Sequence, residues 1–240
     1  TMKWKGTDVI PASADMGDGD PTSVSIGLDP TGQQAVMPAD ALQRTFARYL
    51  DDVRKRDAPD ALYAYTPYEL RNVLTYVHLD QPRAANELLT RFLGHRRPLA
   101  WQVLAEVVYS DLRHAIYLGD MPHTWIGSEY ARALFGMLMH EDDNALDLLP
   151  GAPPAWLAGD GLRIDGLPTA YGALTMTARE RDGELCVTLG PGLGAGTALH
   201  LHWPNRRKPA RVTIDGKPAA GFDAGGIRIG KPFKTLVARW

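Results

Sequence analysis

Apolar residues recur every three or four positions between residues 38 and 138, and beyond residue 160 they alternate with polar ones. The first spacing is that of a helix with one buried face, the second that of a half-buried strand. Behind Pro38, which suits a first helical position, Leu42, Phe46, Tyr49, Leu50 and Val53 predict one buried stripe. Thr66, Pro67 and Glu69 match a capping box, with Leu70, Val73, Leu74 and Val77 as the stripe behind it. Pro82 opens a third helix with Ala85, Leu88, Leu89 and Phe92 inward and Gly94 near its end. The short link between these two predicts an antiparallel helical hairpin. A fourth, shorter helix is predicted over Pro98–Tyr109, and a fifth from Thr124 as cap through Ile126, Tyr130, Leu134, Met137 and Leu138. Residues 1–37 show no helical period and are rich in Asp, Gly, Pro, Thr and Ser, so they read as a long loop.

In the second part, strands are predicted near 161–167, 171–180, 184–190, 197–203, 210–214 and 227–239. Asp182-Gly183 and Asp215-Gly216 are hairpin signals, because that turn needs positive φ at both central residues. The proline-rich stretch Pro150 to Pro154 is the natural boundary. The expected organisation is a helical domain over 1–149 and a small antiparallel β-sandwich over 150–240, with no internal repeat.

Composition narrows the function classes. Apolar residues make up 45% and charged ones 22%, as in ordinary globular chains. A net charge of −2 gives no broad basic field, which argues against nucleic acid as a partner. The basic cluster Arg206, Arg207 and Lys208 precedes Pro209 and reads as a turn. No run approaches the ~18 apolar residues of a membrane helix, so no membrane partner is expected. Cys186, alone of its kind, sits in an alternating run as a small hydrophobe. Thr1–Ile10 is polar and charged, unlike a signal peptide; an upstream signal on the full-length protein would direct it outside the cytoplasm. The glycine-rich run Gly190–Gly196 joins two strands and lacks the following helix that a dinucleotide fingerprint needs, so no cofactor is expected. His200 and His202 share a strand face but have no evident third ligand, so no metal site is expected. No G-x-S-x-G elbow supports serine-nucleophile chemistry.

Four segments could carry chemistry. Asp15 to Ser23 places three carboxylates within six residues, including Asp18 and Asp20. Such a loop either contacts a cation or hydroxyl-rich ligand, or is a surface loop of Asx turns; Ile26 stands where a calcium loop would need its bidentate Glu. Tyr63 to Asn72 sets Tyr65 and two further tyrosines beside Glu69, which is either a sugar-site carboxylate or the capping-box glutamate. In Trp101 to Tyr109, Trp101, Leu104, Ala105 and Val108 share one helical face while Val103 and Val107 make the other apolar. Glu106 there is either a general acid, its pKa raised by burial, or half of an ion pair with Arg113 or Arg132. Gly119 to Trp125 leads Asp120, His123 and Trp125 into a helix start, either at a concave rim or as ordinary cap packing around Thr124.

These segments, in this order and ahead of a β-domain, resemble the C-terminal half of bacterial six-hairpin glycosidase-like proteins, many described only as discoidin-domain-containing. The resemblance spans about residues 4–215 and rests on Asp15 to Ser23, Tyr65 to Asn72 and Gly119 to Trp125. It implies helical hairpins of a partial (α/α)6-type toroid followed by the β-sandwich, acting on carbohydrate. A full ring has twelve helices and the pattern predicts five, so self-association or a missing N-terminal portion is expected to cover the open face. The expected activity is glycoside hydrolysis through paired carboxylates, with Glu106 as proton donor, Glu69 as the second carboxylate and Asp120 as a further candidate. Asp18, Asp20, Tyr65, Trp101, His123 and Trp125 would line the subsites. The alternative is a non-catalytic carbohydrate-binding or scaffold fragment.

Overall fold

The computed structural model describes residues 1–96, 99–111, 119–141 and 144–240. The chain divides into two units, Thr1–Leu134 and Phe135–Trp240.

The first unit opens with an antiparallel hairpin of β1 (Met2–Trp4) and β2 (Thr7–Val9). Asp20 then caps α1 (Pro21–Leu28): its carboxylate accepts from the Thr22 amide at 2.9 Å, and Pro21 fills the first turn, where no N–H is needed. The segment 1–37 is therefore ordered, contrary to expectation, because one acidic cap and one proline suffice to start a short helix. In α2 (Ala39–Arg54), Leu42, Phe46, Tyr49, Leu50 and Val53 are all buried, as the spacing predicts. Strand β3 (Ala64–Tyr65) leads through a 3-10 turn (Pro67–Leu70) into α3 (Arg71–His78). Asp80, at φ 56°, reverses the chain into α4 (Pro82–Leu93), and the two helices pack as the expected hairpin. Helix α5 (Thr124–Leu138) begins in this unit.

The fourth expected helix is absent. Pro98 lies outside the described residues; beyond it a 3-10 turn at Leu99–Trp101 gives way to Gln102 at φ 57° and then to β4 (Val108–Tyr109). An apolar run with Val103, Val107 and Val108 suits a strand as well as a helix, and antiparallel pairing of Tyr65 with Val108 decides it.

The second unit holds β5 (Met139–Glu141), β6 (Leu146–Leu148), β7 (Leu162–Thr169), β8 (Gly172–Arg181), β9 (Glu184–Leu189), β10 (Leu199–His202), β11 (Arg211–Ile214), β12 (Lys217–Pro218), β13 (Gly226–Ile229) and β14 (Thr235–Arg239). Six of them form an antiparallel sheet in the order β12-β11-β14-β9-β8-β7, and four form a second sheet in the order β13-β10-β6-β5. One core, with Trp203 fully buried, unites Leu146, Leu148 and Leu201 of the smaller sheet with Met176, Val187 and Leu236 of the larger. Asp182, Gly183, Asp215 and Gly216 all take positive φ, as the hairpin signals require. The run 227–239 is two strands in different sheets rather than one. The glycine-rich run lies along β8, where the Ala173 amide donates to the Gly192 carbonyl at 3.1 Å. A Cβ on Gly172 would stand 2.3 Å from that carbonyl oxygen, so only glycine permits the approach.

The expectation of toroidal helical hairpins followed by a purely antiparallel sandwich is overturned. Among the described residues there are five short α-helices and fourteen strands in four sheets, so the fold is β-rich. The smaller sheet is also mixed, because β6 and β10 run parallel. β5 pairs with β6, which pairs with β10, so Met139–Glu141 and Leu146–Leu148 belong to the second unit, and Pro150 to Pro154 lies within it.

Candidate functional site

Two non-helical segments of the first unit lie side by side and assemble the densest cluster of candidate residues. The Glu106 amide donates to the Asp120 carbonyl at 3.0 Å, and the His123 amide donates to the Leu104 carbonyl at 3.0 Å. The Asp120 amide in turn donates to Glu106 Oε2 at 3.3 Å. Gly119, at φ 68°, makes this possible: a Cβ there would lie 2.5 Å from the Glu106 Cβ. Glu106, Asp120 and His123 each place a carboxylate oxygen or ring nitrogen within 4.8 Å of the others. Glu106 is half-buried and sits outside any helix, whereas the Asp120 carboxylate is 85% exposed.

Tyr68, which periodicity does not single out, ties the cluster together. Its hydroxyl bonds His123 Nε2 at 2.7 Å, and its ring meets those of His123 and Trp125 edge-to-face at 5.6 and 5.3 Å. Loss of hydration, then the negative charge of Glu106, pushes the phenol above its ordinary range. Tyr68 therefore stays protonated at neutral pH, and its hydroxyl shares a hydrogen bond with Nε2 whose direction follows the imidazole tautomer; Nδ1 of the same ring lies 3.9 Å from Asp120 Oδ2. Arg71 lies over the Tyr68 ring at 5.5 Å and pairs with buried Glu129 at 2.8 Å. Trp125 keeps 62% of its surface exposed, which leaves ring area open to a ligand. The signal for Tyr68 was in the sequence, beside Tyr65, but only the fold chooses between them.

The other candidates lie elsewhere. Glu69 does not form the capping box. Its carboxylate turns inward, accepting from Tyr49 Oη at 2.7 Å and pairing with Arg56 at 2.9 Å, while Thr66 alone caps the turn. Tyr65 is buried, stacked on Phe92 at 5.5 Å, beneath the Arg56 guanidinium and bonded to His95. Trp101 is 68% exposed on the 3-10 turn. Asp18 accepts from the Asp20 amide at 3.1 Å and Asp20 is the α1 cap, so their carboxylates organise the loop. Of the two arginines expected beside Glu106, Arg132 pairs with Glu129 and Asp29, and Arg113 lies outside the described residues.

No protein-family model matches the chain, and no curated protein sequence matches it either. No helix among the described residues is long and apolar enough to cross a membrane.

Proposed function

We propose that the chain is a carbohydrate-active protein that binds an oligosaccharide against Trp125 and Tyr68, with Glu106 and Asp120 as its working carboxylates. The observation that carries this reading is the convergence of Glu106, Asp120 and His123 within 4.8 Å, beside an aromatic ring that is 62% exposed. Pyranose rings present apolar C–H faces to aromatic surfaces and rims of hydroxyls to carboxylate and imidazole acceptors.

The carboxylate spacing also suggests the reaction. Glu106 and Asp120 bring oxygens within 4.8 Å of each other, short of the ~6.5–9.5 Å that inverting glycosidases leave for a water, which favours the retaining reaction. Glu106, the more buried, would protonate the leaving oxygen as Asp120 attacks the anomeric carbon; water activated by Glu106 would then release the sugar from Asp120. One observation favours a second reading, binding without turnover: Asp120 is 85% exposed, so nothing on its side shields a covalent intermediate from solvent.

The test uses the full chain and a panel of plant and bacterial oligosaccharides, with calorimetry for binding and reducing-end release for hydrolysis. Trp125→Ala should weaken binding about tenfold, as expected for one lost aromatic platform. Glu106→Gln should lower turnover by ~10²–10⁴ while leaving affinity intact. Binding without hydrolysis by the wild type selects the second reading. Absence of binding across the panel overturns both.

A further inference from the structure

The smaller sheet of the second unit brings together a cluster that no local pattern announces. Parallel pairing of β6 with β10 sets Asp147 directly opposite His200, and His202 follows two residues on, on the same face. The intervening residues Leu146, Leu148, Leu199 and Leu201 are buried in the core, so the three polar side chains share the opposite face of the sheet. His200 Nδ1 lies 2.9 Å and His202 Nε2 2.8 Å from the same oxygen, Asp147 Oδ1. The side chains are between 14% and 19% exposed, and the two imidazole centroids are 3.9 Å apart. Nδ1 of His202, on the far side of the ring from Asp147, is buried with no hydrogen-bond partner among the described residues.

We infer that Asp147, His200 and His202 form a binding site for a divalent first-row transition metal ion of the zinc class. Three donor atoms from three side chains already lie close together; with metal–ligand bonds of ~2.0–2.1 Å, ligands in a four- to six-coordinate shell stand roughly 2.9–3.4 Å apart. The distances to Oδ1 lie at and just below the lower end of that range, so the ion needs only a small outward turn of each ring. Two imidazoles and one carboxylate suit zinc, cobalt, nickel or iron, whereas magnesium and calcium demand oxygen shells. Three protein ligands leave a coordination position open to water or to a ligand, as reactive zinc centres do. The competing account is a plain His–Asp–His hydrogen-bond network, and a metal titration separates the two.

The full chain, dialysed against chelator and then against metal-free buffer, is titrated with Zn²⁺ by calorimetry and with Co²⁺ by visible absorption. The expected result is one equivalent per chain, Co²⁺ bands of nitrogen and oxygen ligation, and no response to Mg²⁺. Asp147→Asn keeps the shape and an acceptor oxygen but loses the charge; it and His200→Gln should each weaken Zn²⁺ binding by more than the ~10–100-fold typical of groups that only support a ligand. Two variants guard against one failing to fold, with circular dichroism confirming the sheet. His123→Gln, in the other unit, should leave Zn²⁺ affinity unchanged. Absence of saturable one-to-one binding overturns the site, as does binding that survives both Asp147→Asn and His200→Gln.

Discussion

Glu69 shows how one side chain can satisfy a local rule on paper and a tertiary one in fact. Its carboxylate is only 12% exposed and is held by Arg56 and Tyr49, so it is part of the interior of the first unit. Burial, then the negative charge of Glu69, holds the Tyr49 phenol well above its ordinary range and keeps it a donor. Removing one member of such a pair leaves the other desolvated and unmatched. Glu69→Gln should therefore lower stability by about 3 kcal/mol, read from the denaturant midpoint at neutral pH. The Glu69→Leu and Arg56→Met pair together should lose less than Glu69→Gln alone, since no stranded charge remains. A near-zero effect of Glu69→Gln would show that water reaches the pair. Glu106, by contrast, is held by backbone groups and a glycine, which is why its surroundings could not be read from the neighbouring valines.

Among elements, helix amphipathicity was the most legible feature. The stripes of α2 and α4 are buried as spaced, because a helix with one apolar face has only one way to hide it. What joins the helices was not legible. Arg54 of α2 pairs with Glu87 of α4 at 2.7 Å, and Asp57, just beyond α2, binds Arg91 of α4. The hydrogen bond from Arg54 draws the Glu87 carboxyl below its ordinary 4.5, and that from Arg91 draws Asp57 below 3.8. A carboxyl whose folded pKa is lowered adds stability above its unfolded pKa and loses it as pH falls through the folded value. Melting temperature should thus decline from about pH 5 to about pH 3, and Glu87→Gln should make that decline shallower. Both pairs are partly exposed, so each contributes no more than about 1 kcal/mol and the change in slope is small. A slope identical to wild type would remove this pair from the acid response.

At the scale of the molecule, topology governs the second unit. Strand β14, near the end of the chain, lies between β11 and β9 in the six-stranded sheet and pairs with both. Leu236 and Ala238 of β14 are fully buried in the shared core. Truncation after Gly230 should therefore abolish cooperative β-unfolding by circular dichroism, because it opens two central ladders and uncovers the core at once. Retention of a cooperative transition would mean that β9 and β11 can close on each other.

The sequence by itself determined where α2, α4, α5 and six strands of the second unit begin, which faces α2 and α4 bury, and that Asp-Gly turns reverse the chain at 182–183 and 215–216. These are local matters, set by side-chain period, by proline's fixed φ and missing N–H, and by glycine's freedom at positive φ. It also held the parts of the candidate site in plain view, Glu106, Asp120, His123 and Trp125. Only the tertiary structure decided that residues 103–109 leave the helical pattern, that Tyr68 rather than Tyr65 meets His123, and that Glu69 turns inward. It alone supplied Asp147 to His200 and His202, across more than fifty residues and a parallel strand pair. Strand partners are chosen by which faces can be buried together, and that choice is made between segments distant in the chain, where no periodicity within either one can reveal it.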